Sequence, residues 1–155
     1  MTIKAPERMS DLFDVAPLSF IRTMKDHGED IRDMLETIVD TGRLPRDWTG
    51  DRFRVIHKDD IDDIMIDELE SDEYIMGCFN ASFLGRWLDE ELVTALQEGE
   101  KFEALGRWLI DMDYVSGPHG IAAEYAAADG YGHHFAHYDH NMDEQAGGWL
   151  VFQTN

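Results

Sequence analysis

Between Glu29 and Thr41 the apolar residues Ile31, Met34, Leu35, Ile38 and Val39 recur at three- and four-residue steps with acids between them, and Gly42 ends the pattern. That spacing lays one apolar stripe along a helix and predicts an amphipathic helix over 29–41. A shorter helix is predicted before it, capped by Ser19, with Phe20, Ile21 and Met24 on one face and an end near Gly28. Residues 1–16 show no such period and are read as a frayed start.

Pro45, Trp48 and Gly50 make Arg43 to Asp51 read as a loop, whereas Phe53 to His57 (FRVIH) alternates as a strand does. From Asp59 to Glu73, Ile61, Ile64, Met65 and Leu69 hold a helical stripe, and Ser71-Asp72 marks a restart. Tyr74, Ile75, Cys78 and Phe79 are then expected to form a second buried face, with Cys78 a small core residue. Leu84-Gly85-Arg86-Trp87-Leu88 returns 21 residues on as Leu105-Gly106-Arg107-Trp108-Leu109. Two copies make no solenoid. The expectation is a pair of helices, 81–98 and 100–111, broken near Gly99, each burying a Trp and using Gly for close approach; Trp149 is likewise expected in the core.

Pro118 is expected to open a helix through Ile121, Ala122, Tyr125 and Ala126 that Gly130 closes. Tyr131 to Asp139 and Gly148 to Gln153 carry β-formers around a polar turn at 141–147, which predicts an antiparallel hairpin. The predicted fold class is α+β and predominantly helical: several packed amphipathic helices with a small antiparallel sheet made of the strand near 53–57 and the C-terminal hairpin 131–153, in a single domain over 1–155.

Composition supports a folded chain, because 43% of its 155 residues are hydrophobic, far from the make-up of a disordered acidic tail. A domain of that length buries roughly two thirds of its unfolded surface. One cysteine allows no internal disulfide and no four-cysteine zinc framework. The first fourteen residues mix Lys4, Glu7, Arg8 and Asp11 with few apolar positions, unlike a signal peptide, and no run of about 18 apolar residues occurs. A cytoplasmic protein without membrane contact is expected.

Charge changes the picture most. Residues 1–58 hold 10 Lys and Arg against 11 Asp and Glu, whereas residues 59–155 hold 3 against 22, so almost the whole net charge of −20 lies after Lys58. Such a field repels nucleic acid and anionic lipid and attracts basic protein surfaces. It is densest over 59–73, where nine of fifteen residues are acidic and none is basic: Asp59, Asp60, Asp62, Asp63, Asp67, Glu68, Glu70, Asp72 and Glu73. On one continuous helix of roughly 22 Å they would give about one charge per 2.5 Å, against about one per 1.7 Å in duplex DNA. Asp59, Asp63, Asp67 and Glu70 follow helical spacing and can form a ridge. The basic residues Arg43, Arg46, Arg52, Arg54 and Lys58 cluster just before it, either as a loop that neutralises neighbouring acids or as an anion-binding patch.

A second candidate is the histidine cluster, with four of the seven histidines in eight residues. His133, His134, His137, Asp139 and His140 are the residue types that hold zinc and related divalent ions. In a strand His133 and His137 would share a face about 13 Å apart, too far for one ion; in a helix three of the histidines could converge. No HExxH, GxSxG, P-loop or GxGxxG occurs.

Phe83-Leu84-Gly85-Arg86-Trp87-Leu88-Asp89-Glu90 resembles the GRW-hydrophobic-Asp stretch of the ArdA-type antirestriction proteins, acidic phage and plasmid products that mimic DNA, and the size and charge are similar too. In that family the stretch follows a strand and a polar loop, whereas here it reads as helical and is repeated, so no binding residue is carried over. The resemblance implies a mobile-element anti-defence protein. The expected function is accordingly a non-enzymatic, cofactor-free acidic protein presenting the 59–73 carboxylates to a basic nucleic-acid-binding protein. The alternative is a small metal-dependent enzyme or metal-binding module using the 133–140 segment.

Overall fold

The computed structural model describes Glu36, Asp40, and residues 46–145 and 148–155. Glu36 and Asp40 are helical, inside the helix predicted over 29–41. The rest of that helix, the helix capped by Ser19, the frayed start and Arg43 lie outside the described residues.

Seven helices and one four-stranded antiparallel sheet are described, a predominantly helical α+β fold. The strands are β1 (Asp47–Thr49), β2 (Phe53–His57), β3 (Asp143–Gln145) and β4 (Trp149–Gln153). The helices are α1 (Ile61–Glu70), α2 (Glu73–Gly77), α3 (Ala81–Leu84), α4 (Glu90–Glu98), α5 (Phe102–Asp111), α6 (Ile121–Asp129) and α7 (Tyr131–Phe135). Contacts divide the chain into two compact units, one of residues up to Ile61 with Asp129–Asn155, the other Asp62–Ala128.

The first unit carries the sheet, in the order β1-β2-β4-β3. Phe53 pairs with Gln153 and His57 with Trp149, so the FRVIH strand and the C-terminal strand run antiparallel in full register. Val55 and Ile56 are adjacent, point to opposite faces, and are both fully buried, so β2 is covered on both sides. Phe135 of α7 packs on Phe152 of β4 at 5.2 Å between ring centroids, and the Arg54 guanidinium lies 5.0 Å from the Phe135 ring centre.

Two strand expectations are corrected. The 47–49 stretch, expected as loop, is β1: Trp48 pairs with Val55 and is buried, and the Gly50 N–H donates to the Phe53 carbonyl at 2.8 Å to close the turn. The 131–139 stretch, expected as the first hairpin strand, is helical to Phe135 and then turns. Gly130 at φ 82 redirects the chain, and Gly132 lies against the His140 carbonyl so closely that a β-carbon would overlap it. A strand could not fold back on itself in this way. The partner of β4 in the hairpin is instead β3, out of the stretch expected as turn, with Asp143 opposite Val151.

The second unit packs short helices around Met65, Leu69, Met76, Leu84, Val93, Leu105 and Leu109, all essentially inaccessible. The restart at Ser71-Asp72 is present: the Asp72 carboxylate caps α2 by accepting from the Ile75 N–H at 3.0 Å. The helix expected over 81–98 is divided, because α3 stops at Gly85 and Asp89 begins α4 by accepting from the Leu92 N–H at 3.1 Å. The break near Gly99 stands, with Glu100 in the left-handed region at φ 58 before α5 begins. Pro118 lies in a turn, and α6 starts three residues later.

Helices α2 and α5 run antiparallel in close contact. A β-carbon at Gly77 would overlap the Phe102 carbonyl, and one at Gly106 would overlap the Glu73 carbonyl. This closeness overturns the expected burial pattern. At such a separation only the residues at the seam, Met76 and Gly77 against Leu105, Gly106 and Leu109, are enclosed. Tyr74, Ile75 and Cys78, expected to be buried, are exposed, and so is Trp108; Trp87 is half-buried. Of the two repeated glycines Gly106 serves close approach, while Gly85 ends a helix.

Candidate functional site

Among the described residues Asp59, Asp60 and Glu73 stand within ion-pair distance of an arginine. In the first unit Arg46 bonds Asp60 and stands 3.8 Å from Asp59. The Asp60 hydrogen bond is the main reason the Arg46 guanidinium is held above its ordinary pKa. In the second unit Arg107 makes two hydrogen bonds to Glu73, at 3.2 and 3.1 Å, and Glu73 is likewise the main cause of its raised pKa. Asp72 is used as a helix cap.

The other five acids of 59–73 lie on α1, which is shorter than a helix over that whole stretch. Ten residues span about 15 Å, so Asp62, Asp63, Asp67, Glu68 and Glu70 place about one carboxylate per 3 Å. Ile61, Met65 and Leu69 are buried, and the opposite side of the turn carries Asp63, Asp67 and Glu70. Asp63 and Asp67 are exposed, and among the described residues none of these three has a basic side chain within ion-pair distance. Asp59 precedes the helix and does not continue this ridge.

Acids cluster at helix starts, where the unpaired N–H groups favour negative charge. Asp62 and Asp63 are in the first turn of α1, Glu73 in that of α2, Glu90 and Glu91 in that of α4, and Glu103 in that of α5. The fold thus offsets part of its own self-repulsion. Over Asp62–Ala128 there are still 16 acids and only three bases. Arg86 is bound to Glu124 at 2.9 Å and Arg107 to Glu73, leaving Lys101 as the base with no ion pair among the described residues.

Two arginines of the basic cluster before Asp59, Arg46 and Arg54, are held in ion pairs. Arg54 makes a two-pronged bond to Asp47 at 3.0 and 2.9 Å, Arg46 engages Asp60, and the Lys58 stem lies against Gly148. Arg46 and Arg54 thus fit the reading in which the loop neutralises neighbouring acids.

The histidine segment is not brought to one point. His133 and His134 are on α7, which ends at Phe135, so His137, Asp139 and His140 follow on a turn. His133 and His140 stack with centroids 5.1 Å apart, ring face to ring face, and His134 sits edge-on to Phe135. Stacked rings direct their nitrogens alongside one another instead of toward a common ion. Among the described residues no three His, Cys, Asp or Glu side chains converge as a metal site.

The second unit exposes an apolar set: Tyr74 and Ile75 on α2, Trp108 on α5 and Met112 just past its end, exposed by 53%, 48%, 40% and 49%. Tyr74 stands edge-on to Phe102 at 5.5 Å and lines an open cleft of about 320 Å³ with Lys101 and Arg107. Its hydrogen bond to Cys78 is the main reason its phenol is held above the usual pKa. The signal available beforehand was the pair Gly77 and Gly106, which brings the helices together.

No helix among the described residues is long and apolar enough to cross a membrane. Comparison with protein-family models, with curated proteins and with solved structures finds no match to this chain.

Proposed function

We propose that Asp62–Ala128 is a non-enzymatic acidic binding unit that occupies the basic nucleic-acid site of another protein in the cytoplasm, in the manner of a mobile-element anti-defence factor acting on a restriction or CRISPR effector. The observation that carries this reading is the ratio of 16 carboxylates to three bases, two of those bases being already held in ion pairs within the unit. A compact fold that keeps so many like charges tolerates a destabilising field, and a basic partner would relieve it. The ArdA-like stretch Phe83–Glu90 belongs to the same unit and points the same way. The contact is assigned first to Asp63, Asp67 and Glu70, which share one side of α1, with Asp62 and Glu68 flanking them on the same helix. Asp59, Asp60 and Glu73 have arginine partners to give up first, and Asp72 would lose a cap.

The test is displacement of a labelled DNA duplex from a purified restriction or CRISPR effector, followed by fluorescence anisotropy. The wild-type chain is expected to release the duplex, and to do so less well as salt rises. A quadruple Asp62→Lys, Asp63→Lys, Asp67→Lys, Glu70→Lys variant should fail. Because Asp62 and Asp63 lie in a first turn where Lys disfavours the helix, the Asn and Gln counterparts accompany it, with circular dichroism as the folding control. Undiminished displacement by folded variants would sink the assignment.

A further inference from the structure

We infer that the exposed apolar face of α2 and α5 anchors the partner, and that its occupant is a basic amphipathic segment of another protein. This rests on the acidic-unit reading above and adds an apolar component to it. Ala104, Trp108 and the residue that caps α5, Met112, are exposed at four-residue steps, so they form one stripe about 12 Å long. Tyr74 joins its start, since it and Ala104 line the same cleft. The glycine contacts explain why this surface stays open. With Gly106 against Glu73 and Gly77 against Phe102, the helices are too close for large flanking side chains to fit between them.

Charge selects the occupant. Glu103 and Asp111 on α5 and Asp113 just after it are exposed, and of the two bases that line the same cleft, Lys101 and Arg107, Arg107 is already held by Glu73. A second copy of this chain would bring up another 16 acids against three bases, and an anionic membrane would be repelled for the same reason. A segment with apolar residues at helical spacing and Lys or Arg on either side satisfies both features: its apolar stripe covers Trp108 and Met112 while its cations meet the exposed carboxylates. Trp is the residue type most often found to dominate such contacts when it becomes fully desolvated.

Two synthetic peptides test this, equal in length and lysine content, one with a leucine stripe at four-residue steps and one with serine at those positions. Binding of each labelled peptide to the full-length chain is read by fluorescence anisotropy. The leucine peptide should bind about tenfold more tightly, retain more of its affinity at high salt, and shift the protein's tryptophan emission to the blue. Trp108→Ala with Met112→Ala should bring its affinity down to that of the serine peptide and leave the latter unchanged. Met112→Gln alone, at the end of the stripe, should give part of that loss if the double variant does not fold. Equal affinity of both peptides for the wild type, or folded variants that bind the leucine peptide as wild type does, would overturn the anchor and leave the acidic reading standing. Failure of both peptides to bind would overturn both.

Discussion

Gly106 lies directly beneath the Glu73 carbonyl, in space that a β-carbon would occupy, and the next residue, Arg107, bonds the Glu73 carboxylate. One turn of α5 thus meets one turn of α2 through backbone on one side and an ion pair on the other. The seam is repeated at Gly77 and Phe102.

Gly106→Ala and Gly77→Ala should therefore each destabilise the chain by about 1–3 kcal/mol or more, because rigid backbone and not a flexible side chain must give way. Gly99→Ala is the control: its β-carbon would come no nearer than 3.4 Å to the Ala95 carbonyl. Thermal unfolding checks this, and a Gly106→Ala melting curve superposing on wild type would mean that the two helices are not in this contact.

Asp89→Ala should cost about 1 kcal/mol through loss of the cap on α4, while Asp89→Asn, which keeps an acceptor for the Leu92 N–H, should cost little. Urea unfolding midpoints read the difference. A loss as large in Asn as in Ala would assign the effect to charge at the helix start and not to the cap.

The Tyr74 phenol should ionise above the usual value of about 10, chiefly because its O–H donates to the Cys78 sulfur, with the negative charge of Glu100 and Glu103 adding to the effect. The sign follows from the raised folded value: the contribution to stability is complete below about pH 10 and is lost as pH rises through the folded pKa. Ultraviolet titration of phenolate should show one late tyrosine in the folded protein, and Cys78→Ala should move it toward the ordinary range. A titration indifferent to Cys78→Ala would remove the hydrogen bond from the account.

Zinc should show no stoichiometric uptake at His133, His134, His137, Asp139 and His140, given that His133 stacks on His140 and no three ligands converge among the described residues. Calorimetric titration of protein carrying no histidine tag checks this. A one-to-one zinc signal abolished by His137→Ala would restore the metal-binding reading.

Much of the fold could be read from the chain because it depends on near neighbours. The stripe Ile61, Met65, Leu69 and the Ser71-Asp72 restart define α1 and α2 through helical spacing and a local cap, and FRVIH alternates wherever its partner lies. The concentration of charge after Lys58 is a matter of counting. Burial of Tyr74, Ile75, Cys78 and Trp108 was misjudged because an apolar residue at helical spacing reports which face could be enclosed. How close the neighbouring helix comes decides whether it is.

The candidate site divides in the same way. Sequence alone determined that the carboxylates are present, that Asp63, Asp67 and Glu70 share one side of a helix, and that histidines crowd 133–140. Only the tertiary structure decided that Arg46 and Arg107 engage Asp60 and Glu73, that 131–135 coils because Gly132 must pass the His140 backbone, and that β3 rather than 131–139 pairs with β4. The physical reason is range: periodicity and capping act within about one helical turn, whereas ion pairing, strand partnership and the approach of two backbones depend on residues up to tens of positions apart, which only the folded chain brings together.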